Sequence, residues 1–498
     1  MKKTVLLYLT CLLTGSLYAN GYIKPPMNAH EYSVTHERTS LPAAYDSRDE
    51  GIILPVRDQK IEGTCWAFAV TDALQALYHK NGINTGYLSP QSFVTCFRGF
   101  DIPPVTKGGN EQMAGSMLAR LEGIVEEEAL PYNPYQTSCV SYEKKNTPMY
   151  TLGWYLLPKD DAIAIKKCIM EFGSVTASFR YETSCYDQAT NTHEYKGEEG
   201  VNHGISLIGW DDSKNAWLAK NNWGSEKFDN GFLWISYNDD YITTECVAYT
   251  DYTPTESIDD VYHQNTVGMV GSFGIDEPGY LTDAIVRYDF ENGDQLVALG
   301  TYATYPNTKI CYNLISKDLT RILFTSDTIT VPYKGFYKYT LPEPFHASDS
   351  LHIAVTYLNK DAEDGHIIPI EMDHVNYTTI TLGKEPQWIA FDNEDWMPFG
   401  KDTEFPHNLC IYAYVRHGET SAIDMPTTSS IYNGREIVDS AWDNAQKIQL
   451  FDTNGKLIKT FIQQNGQFSD IPYGIYILSV EYKNGTCYGE KILYKPNK

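Results

Sequence analysis

The 498-residue chain reads as an α+β domain, with a cleft between a helical half and a β half, followed by two all-β sandwich domains. Three observations predict this. Helical spacing governs the apolar residues from Cys65 to Tyr78, and strand-like runs take over between about residues 160 and 250. Beyond about residue 258 nearly every apolar run is short, β-branched or aromatic and bounded by turn residues. The chain is also longer than one hydrophobic core supports, so several cores are required.

In order, residues 1–19 carry two lysines, the apolar run Val5 to Leu13 and a small-residue ending at Ala19, which reads as a signal peptide. That run is too short to span a bilayer, and no later run is long enough. Residues 20–40 are polar, with Pro25-Pro26, and read as a short linker or pro-segment. Within residues 41–257, Thr64 is the expected N-cap of a helix that starts at Cys65 and ends before Gly82. A second helix is expected over Ile163 to Phe172, closed by Gly173. Strands follow at Val175 to Phe179, Gly204 to Trp210, Ala216 to Ala219 and Phe232 to Tyr237. Residues 258–418 form the first sandwich, with runs such as Leu296 to Tyr302, Ile322 to Phe324, Leu351 to Tyr357 and Leu409 to Val415. A polar stretch leads to residues 430–498, where Asn454-Gly455 marks a hairpin between Ile448-Phe451 and Leu457-Ile462.

A formal net charge of -25 makes nucleic acid an unfavourable partner and basic peptides a favourable one. With the leader gone, nine cysteines remain, an odd number for an oxidising compartment, so at least one is not paired within the chain.

One of them has the setting of a nucleophile. A helix N-terminus stabilises a thiolate, and Cys65 stands in the first turn. His203 precedes a strand that can carry it across the cleft, and Asn221 can accept the other imidazole N–H and fix the ring. Gln59, six residues before Cys65, can donate to a developing oxyanion beside the Cys65 N–H.

Val56-Arg57-Asp58-Gln59 and Gly63-Thr64-Cys65-Trp66-Ala67-Phe68-Ala69 resemble the nucleophile segment of papain-like cysteine peptidases. Leu88-Ser89-Pro90-Gln91, Gly108-Gly109, Asn202-His203-Gly204, the run Trp217 to Gly224 and the strand Gly231 to Ile235 follow in the family's order. The resemblance implies the papain-like fold and an endopeptidase with catalytic Cys65, His203, Asn221 and Gln59, working without metal or cofactor. It also implies substrate-binding Gly108, Gly109, Asn202 and Trp223, with Trp223 shielding the His203–Asn221 pair. Asp251 is placed at the floor of the pocket for the second substrate residue before the scissile bond, with Glu111 beside it, which predicts acceptance of arginine or lysine. It pairs Cys96 with Cys139 and Cys185 with Cys246, and Cys168 is expected as a buried free thiol. Glu62 and Thr106 stand where the family commonly has a disulfide, and Lys227 where it commonly has a second tryptophan.

The segment from Asp259 to Tyr412 resembles the lectin-like sandwich of some bacterial papain homologues, and Leu450 to Lys456 with Gly474 to Ile477 is similar to C-terminal sorting domains of the type IX secretion pathway in Bacteroidetes. These resemblances imply protein or peptide substrates, carbohydrate as a further partner of the middle domain, and a location outside a Gram-negative cell. The rival reading is a surface adhesin or carbohydrate-binding protein using an inert papain-like scaffold. Acyl transfer to an amine would use the same residues as hydrolysis. A further expectation is that Asn20 to Ser40 fills the cleft until trimmed.

Overall fold

The structure, a computed structural model, describes residues 21–27, 40–95, 99–101, 108–136, 138–139, 146–277, 279–347, 350–362, 364–392, 395–418, 431–433, 445–452, 457–461, 474–482 and 487–495. The leader, Cys96, Thr106 and the Asn454-Gly455 turn lie outside the described residues. The described residues up to His417 form one compact unit and those from Gly418 another.

The helical half is built on α1 (Cys65–Lys80), whose residues are buried from Cys65 to Tyr78. A helix hidden on all sides is largely apolar all round, as Trp66-Ala67-Phe68-Ala69-Val70 is, and its buried Asp72 is paired with Lys220 and Arg57. Gly82, in left-handed backbone at φ +75, ends the path beyond it. Thr64 precedes the helix but does not cap it with its side chain; its hydroxyl instead pairs with the Tyr132 hydroxyl at 2.9 Å. Short α2 (Gln91–Val94) and α3 (Glu111–Ala119) complete this half, and Asn110 caps α3 by accepting from Met113 N–H.

The β half contains β1 (Ala44–Asp46), β2 (Trp154–Leu156), α4 (Ala162–Phe172), β3 (Val175–Phe179), β4 (Tyr186–Asp187), β5 (Thr192–His193), β6 (His203–Asp211), β7 (Ala216–Lys220), β8 (Phe232–Ser236) and β9 (Cys246–Tyr249). Gly173, at φ +88, closes α4 as expected.

The first sandwich faces a seven-stranded sheet, centred on Thr308–Ser316, Ser350–Leu358 and Leu281–Asp289, against a second sheet containing Asp260–His263, Ile411–His417, Asp294–Ala303 and Lys334–Ala347. That second sheet does not stop at the domain edge. Lys334, Gly335 and Phe336 pair with Leu156, Tyr155 and Trp154 of β2, which in turn pairs with β9. The result is one thirteen-stranded sheet running through both domains. Aromatic packing reinforces the seam: Trp154 meets Tyr302 edge-on at 5.8 Å and Tyr155 stacks on Tyr337 at 5.4 Å. The unit beyond Gly418 is a five-stranded sheet in which Ala445–Asp452 pairs with both Leu457–Phe461 and Gly474–Tyr482.

Of the cysteines, Cys139 is disulfide-bonded, and Cys96, its expected partner, lies outside the described residues. The expected Cys185–Cys246 bridge is not formed, because both are free thiols. Cys246 is buried in β9 with its sulfur turned to the Ile242 carbonyl at 3.5 Å, whereas Cys185 ends a half-exposed 3-10 turn beside the β4–β5 hairpin. Cys168 is a buried free thiol, as its apolar helical setting predicted.

Candidate active site

Three chain segments converge at the N-terminus of α1. Cys65 begins the helix and is fully buried, while His203 begins β6 and Asn221 directly follows β7. Because β6 and β7 are paired, with Ser206 opposite Lys220, the histidine and asparagine lie side by side across a sheet edge. His203 Nε2 lies 2.9 Å from Asn221 Oδ1, and the same oxygen accepts the Asn222 backbone N–H at 2.8 Å. A carbonyl oxygen cannot donate, so Nε2 carries the proton and Nδ1 is left with its lone pair. Nδ1 is buried and has no hydrogen-bond partner among the described residues. Trp223 covers the ring, stacked at 4.3 Å, and is itself backed by Phe228 at 5.9 Å and Tyr181 at 4.7 Å. Lys227, which departs from the family pattern, sets its ammonium 5.5 Å above the Trp223 ring.

Asn222 ties the segments together in a way its sequence position did not reveal. Its side-chain Nδ2 donates to both Cys65 O and Gly204 O, at 3.2 and 3.1 Å, and its backbone carbonyl accepts the Gln59 backbone N–H at 2.8 Å. Gln59 is buried beside the helix start, with one amide hydrogen given to Glu62 O at 2.8 Å. Lys220, one residue before Asn221, is buried against Asp72 of α1 at 3.0 Å, and Arg57 reaches the same carboxylate at 3.1 Å and Glu127 at 3.0 Å. This ionic cluster pins β7 to α1 from within.

The cleft is filled. Residues 21–27 run along it, with Gly109 N–H donating to Gly21 O at 3.1 Å and Ile23 N–H donating to Gly109 O at 2.9 Å, a parallel bridge. Asn110 and Gln112 continue the clasp on the Ile23 and Met27 carbonyls. Gly21 lies so close to the nucleophile segment that a Cβ there would stand 2.6 Å from the Gly63 carbonyl carbon and 2.9 Å from Cys65 Sγ. Gly108 and Gly109 are required for the same reason: a Cβ on Gly108, at φ +87, would meet Gly21 O at 2.2 Å, and one on Gly109 would meet the Trp66 ring at 2.4 Å.

Under this cover, burial pushes the Cys65 thiol up to about 12, against the backbone N–H groups of Gly204 and Trp66, which pull it down. Burial likewise drives His203 down to about 4. Both effects of burial disfavour charge, so the occupied cleft holds a neutral thiol and a neutral imidazole.

Three predicted pocket residues sit differently from expectation. Asp251 is not at a pocket floor: it pairs with Lys338 of the sandwich at 3.2 Å and accepts from Leu152 N–H and the Thr253 hydroxyl. The added domain has claimed that carboxylate. Asn202 uses its side chain on the backbone of Tyr181, accepting at 2.8 Å and donating at 3.2 Å, so it positions the strand end instead of facing the cleft. Glu111 does line a pocket, but as a buried residue bonded to the Tyr22 hydroxyl at 2.8 Å. Burial raises its carboxyl to about 7.

Comparison with known proteins accords with this geometry. Residues 41–252 match the model of the papain family cysteine proteases, and residues 261–415 match that of the lectin like domain. The chain carries a papain-like cysteine protease domain joined to a lectin-like domain. Cathepsin K of Gallus gallus is 29% identical over 208 residues, covering 40% of this chain and 59% of that protein. The thiol protease aleurain of Arabidopsis thaliana is 31% identical over 209 residues, or 39% of this chain and 55% of its own length. The chain thus spans little more than half of either relative. The solved cysteine protease and lectin-like domains of Cwp84, a surface layer associated protein of Clostridium difficile, share the fold with a TM-score of 0.68 at 22% identity, over 82% of this chain and 95% of that one. Likeness to that structure extends across both domains.

Proposed function

We propose that the chain is a secreted cysteine endopeptidase. Cys65 Sγ attacks the scissile carbonyl, and His203 Nδ1 takes the thiol proton and passes it to the leaving amine. Water then enters, giving its proton to Nδ1, and the thioester is cleaved to a carboxylate with the thiol restored. Asn221 holds the ring for both transfers, and Gln59, with the Cys65 N–H, supports the oxyanion. The single observation that carries this reading is the Asn221 Oδ1 contact. It fixes the imidazole with its basic nitrogen unprotonated, inside the site where Cys65 begins a helix.

Residues 21–27 make the chain latent. The Gly21 carbonyl is held by Gly109 N–H and the Ile23 N–H by the Gly109 carbonyl, so the segment occupies the cleft beside Cys65. Its departure admits water, and the thiol and imidazole are then free to exchange a proton and become an ion pair. The leader-like residues 1–19 support export, and the sorting-like C-terminal strands support passage through the outer membrane of a Gram-negative bacterium. The lectin-like sandwich supports carbohydrate as a further ligand.

The test is covalent labelling with an epoxysuccinyl thiol-protease inhibitor after trimming of the N-terminal segment, followed by peptide mapping. Stoichiometric labelling at Cys65 that is lost in His203→Ala is the expected result. No labelling of the trimmed protein would transfer support to the inert-scaffold reading.

A further inference from the structure

A tyrosine hydroxyl outside the catalytic row joins the two ends of the loop that carries both oxyanion donors. The Tyr132 hydroxyl donates to the Gln59 backbone carbonyl at 2.8 Å and lies 2.9 Å from Thr64 Oγ1. A phenol has a single proton and a carbonyl can only accept, so that proton goes to Gln59, and Thr64 donates to the phenol oxygen. The bonds therefore run from Thr64 to Tyr132 to Gln59, with the direction fixed at each step. Burial raises the phenol above its ordinary value, so the donor keeps its proton wherever a thiol and an imidazole can work.

What stands at each end gives the tie its importance. Gln59 carries a side-chain N–H and the Thr64–Cys65 peptide a backbone N–H, and the two must converge on one oxygen to support a tetrahedral intermediate. The backbone between them is strained: Lys60 sits at φ +62, a left-handed conformation that costs a residue with a Cβ. Within the loop, Gln59 Nε2 and the Thr64 N–H both donate to Glu62 O, at 2.8 and 2.9 Å. From outside, Gln59 is held twice. Its backbone N–H is taken by Asn222 O of the β half, and its carbonyl by Tyr132. Tyr132 is anchored in turn on the helical half: its ring meets Phe68 of α1 edge-on at 4.8 Å, and the next residue, Asn133, donates its N–H to Gln91 Oε1 of α2 at 2.9 Å.

We propose that Tyr132 is a positioning residue for the oxyanion site, its hydroxyl locking Gln59 and Thr64 at the spacing that aims the Gln59 amide and the Cys65 N–H at a single oxygen. This rests on the peptidase reading above. The hydroxyl is spent on those two residues and acts through them. Donors aimed at developing charge contribute in the transition state, so loosening them lowers kcat and leaves KM.

Tyr132→Phe removes one oxygen and keeps the ring that packs on Phe68. In trimmed protein it should lower kcat for a fluorogenic peptide about tenfold with KM within about twofold, a smaller loss than removal of a donor itself causes. A peptide aldehyde should bind about tenfold more weakly, because Cys65 Sγ bonds to its carbonyl carbon, the carbonyl double bond opens and the thiol proton passes to an oxygen lying at the same donors. Alkylation of Cys65 by iodoacetamide should keep the wild-type rate: sulfur displaces iodide at a methylene carbon, and no charge gathers on a carbonyl oxygen. Thr64→Val, which cuts the other arm of the tie, should repeat the pattern at about threefold. A merely structural tyrosine would slow alkylation and hydrolysis together. A folded Tyr132→Phe with kcat within about twofold of wild type, or with alkylation slowed as much as hydrolysis, overturns the proposal. Should Tyr132→Phe fail to fold, the same two rates in Thr64→Val decide. Trimmed wild type that neither hydrolyses peptide nor binds the aldehyde refutes the peptidase reading and this inference with it, whereas an active wild type with unaffected variants refutes this inference alone.

Discussion

The catalytic row and the Tyr22 pocket lie under the same stretch of chain, yet they hold polar groups by opposite means. In the row, uncharged amides do the positioning: Asn221 orients His203, and Asn222 clasps the carbonyls of Cys65 and Gly204. All of these contacts are made within the protease domain. In the pocket the positioning group is ionisable: the Glu111 carboxylate of α3 holds the Tyr22 phenol. Neutral hydrogen bonds fix geometry with little dependence on pH or salt, whereas buried charges depend on every neighbour that supplies or removes one. The row is thus suited to chemistry that must not vary, and the pocket to selectivity that can be retuned.

The largest expected effect breaks the row. Asn221→Ala in trimmed protein should lower kcat/KM by about a hundredfold, mainly through kcat, since the ring loses its tautomer and orientation while substrate contacts remain. Steady-state kinetics with a fluorogenic peptide measures it, and a loss confined to KM would assign Asn221 to binding.

A smaller effect should appear in the pocket as a pH dependence of latency. The group facing Glu111 in the filled cleft is the Tyr22 phenol, with Cys65, Cys246, Tyr249 and Tyr377 close enough to be affected by its charge. Burial holds the Glu111 carboxyl at about 7 in that state, whereas an open, wetted cleft should return it towards the ordinary carboxylate range. The closed-state value is the higher one, so proton binding favours closure. Closure is fully supported below the open-state value and weakens as pH rises through about 7. Inhibitor labelling of the full chain should therefore speed up by about tenfold between acid and mildly alkaline pH, after correction for the same profile in trimmed protein. Glu111→Gln should flatten the difference.

The smallest effect belongs to the domain seam. Asp251 and Lys338 are partly exposed to solvent, so Lys338→Ala should cost no more than about 1 kcal/mol in thermal or denaturant unfolding. Continuity of the sheet and the aromatic contacts of Trp154 and Tyr155 should keep the domains together. A loss several times larger would mean that this ion pair, not the sheet, is the main fastening.

How much could be read beforehand follows the same division. α1, β3 and the helix closed by Gly173 follow from apolar period and glycine placement, and Cys65, His203, Asn221 and Gln59 are brought together as their motifs implied. Asn222 was passed over because its work is done by an amide reaching two backbone carbonyls, which leaves no side-chain pattern. β2 is only three residues long, too short for periodicity to announce it, and it is this strand that joins the two sheets. Asp251 was misplaced because no spacing within the protease domain shows that Lys338, 87 positions away by subtraction of the two residue numbers, will claim it.

The central claim is that residues 21–27 close an otherwise competent site. Its most direct test compares second-order labelling rates of Cys65 by the epoxysuccinyl inhibitor in three proteins: the chain beginning at Asn20, the same chain with Gly21→Leu, and the chain beginning at Leu41. A leucine side chain cannot fit where even a Cβ would stand 2.9 Å from Cys65 Sγ. The account predicts slow labelling of the first and fast labelling of the other two. Equal rates for all three would contradict it.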